Sequence, residues 1–565
     1  MFAVNAAADA PSEMYDQDVV GISSNGRWTA ADISEGAVVI TDRETGEEWV
    51  YYGDGGLRYY DISPRKAVSD NGIVVGSTST SNGAYWENGV WTVLKTPNPQ
   101  WIMNAKSITP DGSVICGGIG GDEFSVYAEN IMLLPAIWHR LPQGGYDDPV
   151  ALPHPELDLT GRVPQYVTAI SISDDGKTVA GQIRDYYGLK MEPVIYKCDD
   201  SGNWTYTRPA QDLLNPRNIK FPHWPGELAD EYMMPVQEQY MTDAQIEAFT
   251  VAYENYIYGG YQGREPQYED FMTPEAIEAY NKAYKEYMDV YVPWEREFNA
   301  FMESYYDYAD SGAQFVFNSG LLTPDGKYFV SNATIAGRGY AIVIIDTETG
   351  EYSIFNGNRS VQFDYITADY SILGHTGALG SDTGSPQGYI FPQMQTQAVA
   401  IEDYIAQKNS FLGQWMEDNL VHEVIMGLGS TSIYDTREML CTGALAGTPD
   451  LTYIVFRNST WSWDDWTGPM GSISYVLPMD WDGVEESGVE EIAESAPAAI
   501  SVENGGLIRV EGDYATLDIY DIAGTKVFTA LNPKGSVATG LSGGLYIIKA
   551  ATASGDSQTL KVRIR

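Results

Sequence analysis

Short apolar runs separated by turn residues recur along most of the chain. In the clearest form, an apolar run ends at a Ser or Thr, a turn with Asn-Gly or Asp-Gly follows, and a second apolar run begins. This form occurs at Gly26, Gly72, Gly112, Gly176 and Gly326. Asn-Gly or Asp-Gly between apolar runs predicts a hairpin with a tight primed turn, in which both central residues have positive φ.

The copies form a repeat. Where nothing is inserted they follow one another at roughly 40–50 residues, and weaker copies lie near Tyr370 and Arg437. A further apolar strand follows several copies, so each repeat predicts four short antiparallel strands. This period and strand number are typical of a propeller blade. We therefore predict a mainly β fold with a seven-bladed β-propeller over residues 15–478, and a run of β-sandwich domains is the alternative. In their hairpin signature the repeats resemble HAF-type and TolB-like propeller repeats.

The strand pattern stops between residues 221 and 312, where a helical insertion is predicted. Thr242 is placed to cap a first helix, and Thr273 followed by Pro274 is placed to open a second. We expect Pro293 to break the second helix and a third to follow it. The helical stripes are aromatic, and we interpret them as the insertion's own core. The two main stretches should pair through Ile246, Phe249, Tyr253, Ile277, Tyr280, Tyr284, Phe298 and Phe301.

The C-terminus has a second alternating pattern, in LDIYDIAGTKVF, GGLYIIKA and the final KVRIR. This order of motifs resembles the C-terminal sorting domain of the type IX secretion system of Bacteroidetes. The resemblance implies a small Ig-like β-sandwich over residues 501–565, type IX secretion machinery as a partner, and a secreted or outer-membrane surface location. The family's usual terminal Lys is Arg565 here. The motif residues are Tyr520, Asp521, Gly524, Gly544, Tyr546, Lys549, Lys561 and Arg565.

The remaining boundaries follow from composition. Residues 1–14 end in small residues, and we interpret them as the remnant of a signal peptide or as a disordered tail. Residues 479–500 are acidic and then rich in Ala and Pro, which predicts a linker. Residues 501–565 contain seven Lys or Arg and six Asp or Glu, whereas the whole chain has a formal net charge of −45. The acidity therefore belongs to residues 1–500, which supports a separable C-terminal domain.

Charge and composition exclude several functions. A net charge of −45 repels nucleic acid and anionic lipid. No apolar run is long enough for a transmembrane helix. Three cysteines, Cys116, Cys198 and Cys441, do not make a disulfide scaffold. None of the five histidines pairs with another His or Cys at metal-ligand spacing, so we predict no metal and no cofactor. Catalytic motifs are also absent, and no catalytic residue is assigned.

Two features remain as candidate ligand-binding sites. Trp461, Trp463 and Trp466 flank Asp464 in WSWDDW, and flat indoles beside a carboxylate suit a sugar. The alternative is that Trp461 and Trp463 belong to a blade core. His375, which follows a predicted hairpin, is the histidine most worth testing. The sequence thus favours a secreted propeller that binds a glycan, peptide or surface partner without catalysis. An extracellular hydrolase or lyase with an acidic site at the propeller mouth is the alternative.

Overall fold

The structure is a computed structural model with two compact units, Met1–Val484 and Glu485–Arg565. We call the first unit the body and the second the C-terminal unit. The residues that the structure describes are 10–15, 17–33, 37–51, 66–77, 82–97, 101–120, 133–228, 233–316, 320–355, 361–376, 387–420, 422–424, 438–440, 443–461, 469–483, 500–503, 507–510, 514–521, 525–541, 544–552 and 557–564.

The body consists of successive antiparallel sheets, numbered here in chain order. Sheet 1 contains β2 (Gln17–Ile22), β3 (Trp28–Ile33), β4 (Ala37–Asp42) and β5 (Glu47–Tyr51). Sheet 2 contains β6 (Val74–Ser77), β7 (Gly83–Glu87) and β8 (Val90–Val93), with a bridge from Val68 to Val74. Sheet 3 contains β9 (Ile102–Ile108), β10 (Val114–Gly120), β11 (Leu133–His139) and β12 (Val150–Ala151).

The later sheets have the same plan. Sheet 4 contains β13 (Tyr166–Ile172), β14 (Thr178–Arg184), β15 (Met191–Cys198) and β16 (Trp204–Thr207), and one parallel bridge joins it to sheet 3. Sheet 5 contains β17 (Ala313–Phe315), β18 (Leu321–Leu322), β19 (Tyr328–Ile335), β20 (Gly339–Asp346) and β21 (Tyr352–Phe355). Sheet 6 contains β22 (Gln362–Ile366), β23 (Ile372–Thr376), β24 (Gln387–Phe391) and β25 (Val399–Ala400).

Sheet 7 joins the two ends of the body. It contains β28 (Ala444–Gly447), β29 (Tyr453–Trp461) and β30 (Pro469–Pro478), and its outer strand is β1 (Ser12–Tyr15). β1 is antiparallel to β30, with Ser12 opposite Val476 and Tyr15 opposite Ile473. A strand from the start of the chain thus completes a sheet built from the end of the body, and this closes the propeller-like fold. The tail predicted to reach residue 14 is therefore shorter, because residues 12–14 belong to this sheet.

The repeated turns hold equivalent places in these sheets. In each, a Ser or Thr hydroxyl donates to an Asp or Asn side chain two residues on and accepts from the backbone N–H that begins the next strand. These pairs are Ser23–Asn25, Ser69–Asn71, Thr109–Asp111, Ser173–Asp175, Thr323–Asp325, Thr367–Asp369 and Thr448–Asp450, at 2.5–2.9 Å.

One detail of the turn prediction is wrong. The residue after the Asp or Asn has positive φ, from 58° at Leu451 to 82° at Gly72, but the preceding Asp or Asn does not. The connections are therefore four-residue turns with one left-handed residue, and the primed two-residue turn is not used. The weak copy assigned near Arg437 lies outside the described residues. A seventh turn lies at Thr448–Tyr453, where Leu451 replaces Gly.

The turns also join neighbouring sheets. The position of a Cβ on Gly72 would lie 2.6 Å from the Trp28 ring of the preceding sheet, and that on Gly326 would lie 2.9 Å from Thr178. At the junction of the ends, a Cβ on Gly26 would lie 2.0 Å from the Tyr453 ring. Glycine is therefore needed at Gly26 and Gly72 for close packing as well as for positive φ.

Within the described residues, the body has helices in two places. Between sheets 4 and 5 lie α1 (Gln211–Leu214), α2 (Asp243–Tyr258) and α3 (Pro274–Ala309), with 3₁₀ turns at Gln237–Tyr240 and Tyr268–Asp270. After sheet 6 come a 3₁₀ turn, Pro392–Met394, and then α4 (Ile401–Lys408) and α5 (Ser410–Asn419). A short hairpin, β26 (His422–Val424) with β27 (Glu438–Leu440), follows α5.

α3 corrects the expected break at Pro293, because it continues through that residue for 36 residues. Pro293 removes one backbone donor and is exposed. The aromatic stripe continues on both sides of Pro293 and keeps its packing, which favours an uninterrupted helix. The caps are as predicted: the Thr242 N–H donates to Gln245 Oε1 at 2.8 Å, and Thr273 Oγ1 accepts from the Ala276 N–H at 3.2 Å.

The C-terminal unit has two antiparallel sheets. One contains β31 (Ile500–Glu503), β32 (Leu507–Val510) and β35 (Gly535–Ala538). The other contains β33 (Thr516–Tyr520), β34 (Lys526–Leu531), β36 (Gly544–Ala551) and β37 (Ser557–Ile564). Ile508 and Val510 from the first sheet cluster with Leu517, Ile519 and Ile548 from the second. The two sheets therefore share one small core.

Candidate functional site

His375 lies in β23, and its Nδ1 is 2.7 Å from Oδ2 of Asp364 in β22. Asp364 is buried at a bulge of β22, and the same oxygen accepts the N–H of Leu445 from β28 in sheet 7 at 3.1 Å. This carboxylate therefore ties sheet 6 to sheet 7 and orients the half-buried imidazole. These hydrogen bonds connect two sheets. They do not test ligand binding by His375, which stays a prediction.

The other predicted ligand residues are not brought to His375 by the described structure. Trp461 is the last residue of β29, where only its backbone is described. Trp463, Asp464 and Trp466 lie outside the described residues, so the sugar-stacking prediction stays a prediction. The same holds for the acidic catalytic site at the propeller mouth.

The residues of the sorting motif lie mainly on two strands of the C-terminal unit. Tyr520 ends β33, and Asp521 begins a turn in which its Oδ1 accepts the Thr525 N–H at 2.8 Å. β36 contains Gly544, Tyr546 and Lys549, and β37 contains Lys561, while Gly524 and Arg565 lie outside the described residues. The motif residues on these strands thus belong to one sheet, and their role in export stays a prediction.

The insertion between sheets 4 and 5 has the most unusual surface of the body. We call residues 221–312 the arm. Of its α2 and α3 residues, only Phe301 and Tyr308 are buried. Aromatic rings follow one side of α3, each in contact with a neighbour at 5.0–6.4 Å between centroids. A first series runs through Tyr280, Tyr284, Tyr287, Tyr291, Trp294 and Phe298, and Phe301 and Tyr305 form a separate pair after it.

These rings have partners other than those predicted. Phe249 of α2 stacks on Tyr268 at 3.9 Å between centroids and meets the edge of Phe271. Trp224 contacts both Phe298 and Phe301 of α3, at 5.7 and 4.8 Å. The expected pairing of the two main helices through eight named side chains is therefore wrong as stated. The connecting segments before and between the helices provide the contacts instead.

The arm also concentrates exposed apolar side chains. Ten of the 22 large apolar side chains that are exposed in the described residues lie in it. They are Met233, Met234, Val236, Val251, Tyr253, Ile257, Tyr258, Tyr261, Val292 and Tyr306. The same residues 221–312 contain 19 Asp or Glu and four Lys or Arg, a net charge of −15. An apolar surface on an acidic helical arm is a candidate interaction surface.

A buried lysine holds the base of the arm. The Lys190 ammonium, 2% exposed, donates to the backbone carbonyls of Leu214 and Ser311, which lie where the chain enters and leaves the arm. It also lies 4.4 Å from the centroid of the Tyr308 ring. Burial lowers the pKa of Lys190 to about 8 and raises the pKa of the neighbouring Asp185 to about 6. We call this group of residues the stem.

No motif in the sequence indicates the stem. Lys190 and Asp185 are far from any motif, and Leu214 and Ser311 are 97 residues apart. One signal was present: Lys190 and Glu192 flank Met191 at the start of an apolar strand, and charges beside a core strand require buried partners. The described residues contain no group of three or more His, Cys, Asp or Glu placed to hold a metal ion. Nor do they contain a helix long and apolar enough to span a membrane.

No protein-family model and no curated protein matches the chain. Among solved structures, it is similar to an oligogalacturonate lyase in complex with manganese, at 10% identity and a TM-score of 0.39, over 83% of this chain and 98% of that one. It is similar to a puromycin hydrolase mutant at 10% identity and a TM-score of 0.40, over 79% of this chain and 50% of that one. The β-propeller domain of Cps50 (Swd1) from Myceliophteria thermophila has 9% identity and a TM-score of 0.37, over 83% of this chain and 99% of that one. The closed succession of sheets described above carries the propeller-like fold independently of these likenesses.

Proposed function

We propose that the chain is a non-catalytic binding protein, exported to the cell surface or medium, in which a seven-bladed propeller presents the arm to a partner. The blade number is supported by sheets 1–7, with β1 completing the last of them. An Ig-like sandwich for the C-terminal unit is supported by its two sheets around one small core. Export by the type IX system is supported by the sequence motif alone.

The observation that carries the binding role is the apolar surface of the arm. Tyr258 is 86% exposed, Met233 77% and Tyr261 65%. Tyr and Met are enriched in the cores of protein interfaces, and Tyr buries a large area there at low conformational cost. Such side chains usually lie in a protein core, but the arm buries only two side chains of α2 and α3. A partner would bury the exposed ones.

The charge of the arm indicates the kind of partner. A net charge of −15 over residues 221–312 repels acidic proteins and acidic polysaccharides. It attracts a basic surface and accelerates its approach, with a rate that decreases as salt increases. We therefore propose a partner protein with a positively charged face, which contacts the exposed tyrosines around the end of α2.

Site-specific photo-crosslinking in the producing cells tests this proposal. A photoreactive residue replaces Tyr258 in the full-length chain, and the control position is Val90 in β8, which is 60% exposed on the propeller. We expect one basic protein to cross-link from position 258 and not from position 90. The purified partner should then bind the wild-type chain with an affinity that falls steeply with salt.

Ring substitutions provide the second part of the test. Tyr258→Ser combined with Tyr261→Ser should weaken the purified complex about tenfold or more, since interface aromatics each contribute on the order of 1 kcal/mol or more. Equal cross-linking at both positions would contradict the arm as the binding element. Cross-linking to carbohydrate alone would contradict a protein partner and would indicate a glycan ligand.

A further inference from the structure

A cleft of about 460 Å³ lies at the base of the arm. One wall is the loop Leu157–Arg162, which precedes β13. The opposite wall is formed by Arg208 and Gln211 with the segment from Lys220 to His223, where the chain enters the arm. This cleft is separate from the exposed surface at the end of α2.

The first wall is held in place by one carboxylate. Oδ1 of the buried Asp158 accepts the N–H of Thr160, the hydroxyl of Thr160 and the N–H of Arg162, at 2.7–3.1 Å. Its Oδ2 accepts the N–H of Tyr186 at 2.6 Å. Asp158 therefore has both oxygens occupied by protein donors, and the bonds to its own loop fix the backbone of Arg162 at the cleft.

The opposite wall is held in place by an ion pair. Arg208 forms a salt bridge with Glu192, which is 1% exposed, and donates to the carbonyl of Leu157 at 2.5 Å. The remaining oxygen of Glu192 accepts the Leu159 N–H at 2.9 Å. The charges of Arg208 and Glu192 thus balance each other, and together they connect the two walls of the cleft.

Two cations at the cleft have no ion-pair partner among the described residues. Within the described part of the chain, neither Arg162 nor Lys220 forms an ion pair with a carboxylate. Arg162 is half-buried over the Tyr186 ring at 5.6 Å, while Lys220 is exposed. His223 adds a third nitrogen-bearing side chain. With Arg208 balanced by Glu192, the lining keeps Arg162 and Lys220 against the one buried carboxylate of Asp158, a net charge of +1. In a chain with 33 basic and 78 acidic residues, this local positive excess favours a negative ligand.

The lining also indicates the shape of the ligand. Thr160, Gln211 and backbone groups offer hydrogen bonds, while the Phe221 ring gives one apolar wall, stacked at 5.1 Å on Tyr187. The volume is within the usual range for a small-molecule site. We propose that this cleft binds a small carboxylate on a polyhydroxylated scaffold, such as an acidic sugar. Arg162 and Lys220 bind the carboxylate, and the polar groups and Phe221 bind the ring.

Titration calorimetry with the full-length protein tests the site. The probes are glucuronate, uncharged glucose and inorganic phosphate. We expect glucuronate to bind at least about tenfold more tightly than glucose or phosphate. Arg162→Gln and Lys220→Gln should each weaken glucuronate binding about tenfold, because a hydrogen bond to a charged group contributes about 1.5–3 kcal/mol. Lys177→Gln is the matched control, an exposed lysine of sheet 4 outside the cleft that should leave binding unchanged.

Each alternative result would overturn the proposal in a specific way. Equal binding of glucuronate and glucose would show that the cations do not contact the ligand. Phosphate binding as tight as glucuronate would show a general anion site. If Lys177→Gln weakened glucuronate binding as much as the two cleft variants do, the effect would come from the net charge of the protein and not from contacts in the cleft. The thermal unfolding curve of each variant, followed by tryptophan fluorescence, separates loss of binding from loss of fold.

Discussion

Replacing Gly26 by Ala tests the contact between the two ends of the body, because it adds a single carbon atom at that contact. Gly26 belongs to the first of the repeated turns, and Tyr453 begins β29, an inner strand of sheet 7. The added Cβ would lie 2.0 Å from one carbon of the Tyr453 ring and 2.1 Å from another. The Arg43 guanidinium, which donates to the Gly26 carbonyl at 2.6 Å, lies 4.5 Å from the centroid of the same ring, so a displacement of Tyr453 would also disturb this cation–π contact.

The magnitude has two parts that can be separated. Gly26 has a φ of 75°, which costs an L-residue roughly 1–2 kcal/mol. The close contact adds roughly 1–3 kcal/mol, as expected when a methyl group is forced into a packed site. Gly46→Ala is the matched control, since Gly46 has a φ of 70° in the same sheet and nothing within 4 Å of its added Cβ. We expect about 1–2 kcal/mol for the control and about 2–5 kcal/mol for Gly26→Ala.

Urea unfolding followed by tryptophan fluorescence measures both. All 14 tryptophans precede residue 485, so this signal reports the body alone. In a Tyr453→Ala background, the cost of Gly26→Ala should fall to that of Gly46→Ala, because the clashing ring is gone. Equal costs of the two glycine substitutions in the wild-type background would refute the contact between the two ends of the body.

Three further predictions concern the stem and the export domain. Lys190→Met should destabilise the stem by about 3–5 kcal/mol, measured by hydrogen exchange at residues 211–216 and 308–312, because two carbonyls and the Asp185 charge lose their partner. In the wild-type protein, the stability of the stem should fall as the pH rises from 3.8 to about 6, because the folded protein binds the Asp185 proton more tightly than the unfolded chain does. Asp185→Asn should abolish this fall, and an unchanged pH profile of the variant would contradict the assignment. Deleting residues 490–565 should leave the body folded but trapped in the periplasm of the native host, whereas normal display of the truncated protein would refute the sorting role.

The sequence predicted the parts of the fold that depend on local chemistry. Ser or Thr followed by Asp or Asn and Gly specifies its own turn, so copies such as those at Gly72 and Gly176 were visible without any tertiary information. The capping residues Thr242 and Thr273 were visible for the same reason. Leu451 escaped detection, because tertiary packing holds a bulky residue at positive φ where the pattern expects Gly.

The sequence could not predict what depends on contacts between distant segments. The stem requires Lys190 to reach carbonyls on both sides of the arm, and the cleft requires Arg162 and Lys220 to face each other across it. No spacing along the chain indicates such meetings. Pro293 failed as a helix breaker for a related reason, since packing along the aromatic stripe outweighs one lost backbone hydrogen bond.

Replacing residues 233–290 by a short Gly-Ser linker tests most directly that the arm is the recognition element of an independently folded propeller. The replacement leaves the stem and its packing in place, including Phe221, Trp224, Phe301 and Tyr308, which contact one another at 4.8–5.8 Å. The shortened protein should unfold cooperatively at close to the wild-type temperature and lose the partner that cross-links from position 258. Unfolding of the whole body, or undiminished partner binding, would contradict this assignment of the arm.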